Sequence, residues 1–382
     1  MKYITGLSLL LCLNLSASAQ SITKVDDALL LDYYQNQRFA EAADYLKQSY
    51  GEPVQSVRAL GQLAYTSNMA GRLADAEKYY QRIYDIDSTN TGVLISLGNI
   101  NLRRGNNTKA EIYYKRIVAR DTSNFMAYKQ LAKLSGDRND IPGQIAYLQR
   151  ANLLNPTEPD VASDLTDLYI SLKLLAQAEK VLTKAISDDP ENIILMNSLL
   201  KLQYNQKKWP DVIALANKLI GSGDSSGPVL SKLGVAYYNT KNYECALSAL
   251  LSIDKISQNE SSYYFTALAY KAVKDQPMAI KFLDLALQDG ITPNAGAYYG
   301  EIADSNEKLK HYKKAVLAYQ KSLQFAEEPM IYYSLANVYD TYLKDKKSAV
   351  KYYRKYLAGK PPIAKQQAYI DYSKSRIATL GQ

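Results

Sequence analysis

The sequence predicts an all-α solenoid of about ten helix pairs closed by a C-terminal helix, and three observations predict it. The first is a repeat of 34 residues. Leu63, Ala64, Ala76, Tyr80 and Ile83 are answered one period later by Leu97, Gly98, Ala110, Tyr114 and Ile117. A fixed period of this length marks stacked supersecondary units, each burying its apolar face only against its neighbours. The second is helical spacing inside each half-unit, as in Tyr80, Ile83 and Tyr84 at i, i+3 and i+4. The third is the placement of turn formers between the halves, such as Ala70-Gly71-Arg72 and Thr240-Lys241-Asn242.

In chain order, residues 1–19 read as a secretory leader. Lys2 supplies the positive start, Ile4 to Leu15 the short apolar core, and Ala17-Ser18-Ala19 the small residues, so cleavage is expected after Ala19. The apolar run is shorter than the ~20 residues a membrane span needs. Cys12 lies inside that run, so the mature chain is expected to keep Cys245 alone, a small buried residue on a helix. The repeat array is expected over 23–358. Units begin at 23, 57, 91, 125, 159, 193 and 227 without a slip, and three more follow with spacing that wobbles by a residue or two. Small residues mark the close approach of paired helices: Ala64, Gly98, Ala132 and Gly234 in first helices, and Ala76, Ala110, Ala178, Ala246, Ala279, Ala315 and Ala349 in second helices. Gln144 and Val212 depart from that pattern, and looser packing is expected at their units. Tyr80, Tyr114, Tyr319 and Tyr353 are expected to fill the gap to the next unit. Residues 221–227, Gly-Ser-Gly-Asp-Ser-Ser-Gly, form the one soft linker, read as a long turn with a hinge as the alternative. After Pro361-Pro362, residues 363–380 read as a capping helix, which an open array needs for solubility.

This pattern resembles the tetratricopeptide repeat (TPR) family across nearly the whole mature chain. The resemblance implies a right-handed superhelix whose first helices line a concave groove that binds a protein or extended peptide. The groove slots would hold Tyr34, Tyr65, Asn68, Asn99, Lys129, Lys133, Asp167, Asn197, Lys201, Tyr204, Tyr238, Tyr264, Lys271, Tyr333 and Asn337. Tyr and Asn suit recognition because they combine contact area and hydrogen bonding with modest entropy loss.

Composition narrows the chemistry. One His, His311, is too few for a histidine-built metal or proton-relay site. No phosphate-binding loop, nucleophile elbow or Cys/His metal spacing occurs, so no enzyme activity, cofactor or metal is expected. Carboxylate pairs such as Asp26-Asp27 and Asp188-Asp189 are read as helix-start residues favoured by the dipole. Charge is uneven. From 344 to 376 ten basic residues face two acidic ones, among them Lys344, Lys346, Lys347, Lys351, Arg354, Lys355 and Lys360. The whole chain is only +8, so the remainder is close to neutral. Tyrosines 352, 353, 356, 369 and 372 are interleaved. The expected function is a non-enzymatic protein-interaction scaffold, exported to the periplasm or secreted. The alternative is attachment of this basic segment to anionic lipid, glycan or acidic protein. Nucleic acid is not expected as a partner, and the sequence is silent on oligomeric state.

Overall fold

The structure, a computed structural model, describes residues 25–289 and 293–381. The expected leader, 1–19, lies outside the described residues. The described chain is all helical and divides between Pro156 and Thr157 into two compact units.

The first unit holds four helix pairs: α1 (Asp27–Gln35) with α2 (Phe39–Tyr50), α3 (Val57–Met69) with α4 (Leu73–Ile86), α5 (Thr91–Arg103) with α6 (Asn107–Arg120), and α7 (Phe125–Asp137) with α8 (Ile141–Leu154). The second holds α9 (Pro159–Ser171) with α10 (Leu175–Ile186), α11 (Ile193–Asn205) with α12 (Trp209–Gly221), α13 (Gly227–Asn239) with α14 (Tyr243–Leu251), and α15 (Glu260–Ala272) with α16 (Gln276–Gln288). It continues with α17 (Ala295–Lys308), α18 (Tyr312–Phe325), α19 (Pro329–Asn337), a π-helical segment (Val338–Leu343), α20 (Lys346–Ala358) and α21 (Ile363–Leu380). Within each unit every helix packs on the next, and first helices also meet across pairs, as α9 meets α11 and α11 meets α13.

Local chemistry repeats with the same period. Asn90, Asn124 and Asn192 each accept a hydrogen bond from a backbone N–H in the first turn of the helix that follows. Such a cap contributes about 1 kcal/mol. Asp26 caps α1 in the same way, whereas Asp188 and Asp189 lie in the turn after α10, and Asn192 caps α11 in their place. Between the helices of each pair one residue takes a left-handed conformation. It falls at 37, 71, 105, 139, 173, 207 and 241, then at 274, 310 and 344. That residue lets the chain close a helix-ending motif, with Lys241 N–H on Tyr238 O and Asn242 N–H on Tyr237 O. Glycine fills the slot only at Gly71 and Gly105, and lysine fills it six times.

The small-residue slots are the contact points between paired helices. The seven alanines of the second helices are all fully buried. A Cβ on Gly98 would lie 2.8 Å from Tyr114 Cζ, and one on Gly234 would strike Leu250. Tyr114, Tyr319 and Tyr353 are buried, and Tyr80 is half-buried. The two departures are absorbed rather than loosened. Val212 is fully buried in the cluster of Met196, Leu200 and Leu219. Gln144 occupies the space over Gly136, where a Cβ would come within 2.7 Å of its amide nitrogen. Residues 221–227 lie inside the second unit as a hydrogen-bonded turn. Asp224 N–H donates to Leu219 O at 2.9 Å, and the Asp224 carboxylate accepts from Asn197 Nδ2 at 2.8 Å.

Candidate functional site

First helices present the residues expected to meet a partner, and the structure sorts them by what they already touch. In the first unit Tyr65 is exposed, with its ring edge-on to Tyr34 and Phe39. Asn68 accepts from Arg103, and Asn99 accepts from the buried Tyr114 hydroxyl at 2.7 Å. Lys133 is exposed, and Lys129 is half-buried and engaged within the fold. This hydrogen-bonding capacity is already used inside the array, between neighbouring repeats at Asn68 and within one helix pair at Asn99.

The second unit carries a denser arrangement. Lys201 Nζ bonds one oxygen of Asp167 at 2.9 Å. The other Asp167 oxygen is buried and accepts nothing. Lys232, one helix further on, is half-buried and donates only to Pro228 O in its own helix, at 3.2 Å. Burial pushes its ammonium below the ordinary lysine range, the Lys201 charge adds to this, and Asp167 opposes it. One ammonium thus has a carboxylate partner and the other has none, in a partly desolvated setting.

Aromatic rings continue the face. Tyr204 stands edge-on to Trp209. Tyr238 meets Tyr243 and Phe265, Phe265 meets Tyr264, and Tyr264 lies 4.7 Å from Tyr298. Burial raises the hydroxyls of Tyr204, Tyr238 and Tyr264, so all three are neutral donors at physiological pH. Lys271 is different from Lys232. Its ammonium is held between Glu301 and Asp304. Burial alone would lower it, but the Asp304 and Glu301 carboxylates outweigh that and raise it. Lys271 is thereby neutralised in place. Asn197 is likewise bound, to Asp224. Asn337 accepts from Thr341, and Tyr333 sits among Tyr353, Tyr356, Tyr369 and Tyr372.

Models of the tetratricopeptide repeat match residues 28–91 and 331–358, the second and last helix pairs among them. The chain carries tetratricopeptide repeats at both ends of its helical array. Proteins of this family generally serve as protein-interaction scaffolds. No curated protein matches this TPR chain. Among solved structures, a tetratricopeptide repeat protein from Parabacteroides merdae is 16% identical, covering 65% of this chain and 98% of that one with a TM-score of 0.45. PilF of Pseudomonas aeruginosa is 19% identical over 56% of this chain and 97% of its own, with a TM-score of 0.46. The human IFIT1 dimer is 15% identical over 93% and 89%, with a TM-score of 0.45.

The basic C-terminal segment of this TPR protein differs from expectation in two respects. Its tyrosines are mostly core: Tyr353 and Tyr356 are fully buried and Tyr352 is half-buried, while Tyr369 and Tyr372 remain exposed. Arg376 is not a free surface charge, because it forms two 2.7 Å hydrogen bonds to the buried Asp340. Lys344, Lys346, Lys347, Lys351, Arg354, Lys355 and Lys360 are exposed. Lys351 lies over the Tyr352 ring and Lys355 over Tyr332. Cys245 is a free, half-buried thiol. Among the described residues no His, Cys, Asp or Glu cluster is arranged to hold a metal, and no helix is long and apolar enough to cross a membrane.

Sequence reasoning passed over Lys232. Its slot is the sixth of its unit, one turn before the slot at which Lys201 stood out and nearly two before that of Lys271. Only its nearness to Lys201 and its lack of a carboxylate partner make it distinctive.

Proposed function

We propose that this protein is a non-enzymatic scaffold, exported to the cell envelope after cleavage behind Ala19. It binds an extended segment of a protein partner along the first-helix face of its second unit. The observation that supports this reading most is the Lys201–Lys232–Asp167 group. A second ammonium without a carboxylate, already partly removed from water, gains a charge-assisted hydrogen bond when an acidic side chain arrives. The rings of Tyr204, Tyr238 and Tyr264 offer rigid area beside it for the partner's apolar side chains. Affinity would then accumulate over several modest contacts on a face that is already ordered.

The test begins with capture of a partner from envelope extract by the mature chain, followed by titration of the purified pair. Lys232→Glu is expected to weaken binding about tenfold or more, since a hydrogen bond to a charged group contributes about 1.5–3 kcal/mol. Replacing Tyr204, Tyr238 and Tyr264 together by alanine is expected to abolish it. Unchanged affinity in both variants would sink the proposal.

A further inference from the structure

We propose that the outer faces of α18 and α20 form a docking surface for an anionic lipid bilayer. The first support is charge in excess of countercharge. Neither helix contains an acidic residue. Lys313, Lys314 and Lys321 lie on α18, and Lys346, Lys347, Lys351, Arg354 and Lys355 lie on α20. All eight are exposed, and among the described residues none makes an ion pair. Of the neighbouring carboxylates, Asp345 caps α20 through Ser348 and Asp340 holds Arg376, which leaves Asp284, beside Lys321, as one countercharge against eight cations.

The second support is continuity. Gln320 Nε2 of α18 donates to the Tyr352 hydroxyl of α20 at 3.5 Å. Tyr352 also stacks on Tyr339 and packs against the core that Val316 and Tyr319 enter from α18. The two helices are therefore neighbours, and their charges add.

The third support is apolar. Leu317 is 62% exposed and Phe325 is 56% exposed, on the same helical stripe as Lys313, Lys314 and Lys321. A soluble polyanion would engage the lysines and leave these two side chains in water. A second copy of this face would bring like charges together. A charged bilayer meets both features, with headgroup phosphates for the ammonium groups and an acyl boundary for Leu317 and Phe325. The surface belongs to second helices, so it leaves the first-helix face open and does not depend on the peptide-binding proposal.

The experiment is sedimentation of the mature chain with phosphatidylcholine vesicles, with and without phosphatidylglycerol, across a salt series. Binding is expected only with phosphatidylglycerol. It should fade at high salt, as the screening length falls from about 10 Å toward 3 Å. Lys313→Ala combined with Lys347→Ala is expected to weaken it about 25-fold, at roughly fivefold per charge near the membrane. Leu317→Trp is expected to show blue-shifted emission on vesicles, and Leu317→Ser a severalfold loss. All these side chains are exposed, so helix content by circular dichroism should be unchanged. No binding to phosphatidylglycerol vesicles at low salt would overturn the proposal. So would binding with neither an emission shift nor any effect of Leu317→Ser, which would reassign the face to an acidic macromolecule.

Discussion

One type of substitution, glycine to alanine in a helix, should act with opposite sign at two places in this chain. Gly234 sits where α13 meets α14. A Cβ there would lie 2.8 Å from Leu250 Cδ2 and closer still to Cγ, and Leu250 is 1% exposed with no room to retreat. Overpacking of a filled core costs about 1–3 kcal/mol, and the helical preference of alanine returns about 1 kcal/mol. Given how central the struck atom is, Gly234→Ala should destabilise by about 1–2 kcal/mol. Gly61 in α3 has no heavy atom within 4 Å of the same position. There only the propensity remains, so Gly61→Ala should stabilise by about 0.5–1 kcal/mol. Stacked repeats do not unfold as one two-state unit. The assay is therefore hydrogen exchange read locally on α13–α14 and on α3–α4, with urea unfolding by circular dichroism beside it. If the two substitutions share a sign, the small-residue slots are not close-contact points and the packing argument fails.

Three further outcomes follow from individual contacts. Arg376→Ala leaves the buried Asp340 carboxylate without its bidentate partner. It should cost about 2–3 kcal/mol, below the ~3–5 of a fully buried pair because the Arg376 side chain is 31% exposed. The Arg376 hydrogen bonds hold Asp340 below the usual carboxylate range, so the stabilisation is present above the unfolded value of about 3.9 and is lost as pH falls through the lower folded value. The variant should accordingly unfold in acid at a higher pH than the parent, monitored by circular dichroism. Glu307 has the opposite sign: burial raises it, so its ionised form is penalised as pH rises, and Glu307→Gln should stabilise at neutral pH but not in acid. Lys207 occupies the left-handed slot of its turn, and Lys207→Gly should raise stability by about 0.5–1 kcal/mol in urea titration.

Period and packing were legible in the chain because they are set by local residue size. The expected unit starts at 57, 91, 125, 159, 193 and 227 coincide with the first residues of α3, α5, α7, α9, α11 and α13. Gly98 and Gly234 are the close contacts that their small size suggested. The first unit's start was less legible, since Asp26 caps a helix beginning at Asp27 rather than at residue 23. Lysine in the left-handed turn slot carries no propensity signature, so a turn such as Thr240-Lys241-Asn242 was legible from its polar neighbours and not from the left-handed residue itself. The candidate face was legible by slot but not by occupancy. Asn99, Asn197 and Lys271 have the right chemistry for a partner, yet each is engaged by a residue far away in sequence or on another helix. Conversely Lys232 gains its character first from burial and then from Lys201, 31 positions earlier, both of which only the fold supplies.

The basic residues along the array serve different physical ends. A carboxylate on a second helix recurrently bridges to the turn of the following repeat: Asp44 to Arg72, Glu77 to Arg104, Glu111 to Arg138, and Glu179 to Lys208. Glu77, Glu111 and Glu179 share one repeat slot, so the bridge fixes the register between neighbours as well as adding modest attraction. That slot holds Ile145 and Ile213 in two intervening repeats and Leu247 and Ile280 after residue 227, and an apolar side chain there forms no bridge. The lysines persist on α18 and α20 in excess of the carboxylates near them, of which Asp284 faces Lys321. Unpaired like charges on adjacent helices repel, and that repulsion lowers stability without any gain inside the fold. An external anionic surface removes the repulsion and leaves the attraction. Vesicles containing phosphatidylglycerol should therefore protect α18 and α20 from hydrogen exchange while leaving α3–α6, where Glu52, Glu77 and Glu111 answer Arg82, Lys109 and Lys115, unchanged. Equal protection of both regions would show that vesicle contact is not directed by the unpaired charge.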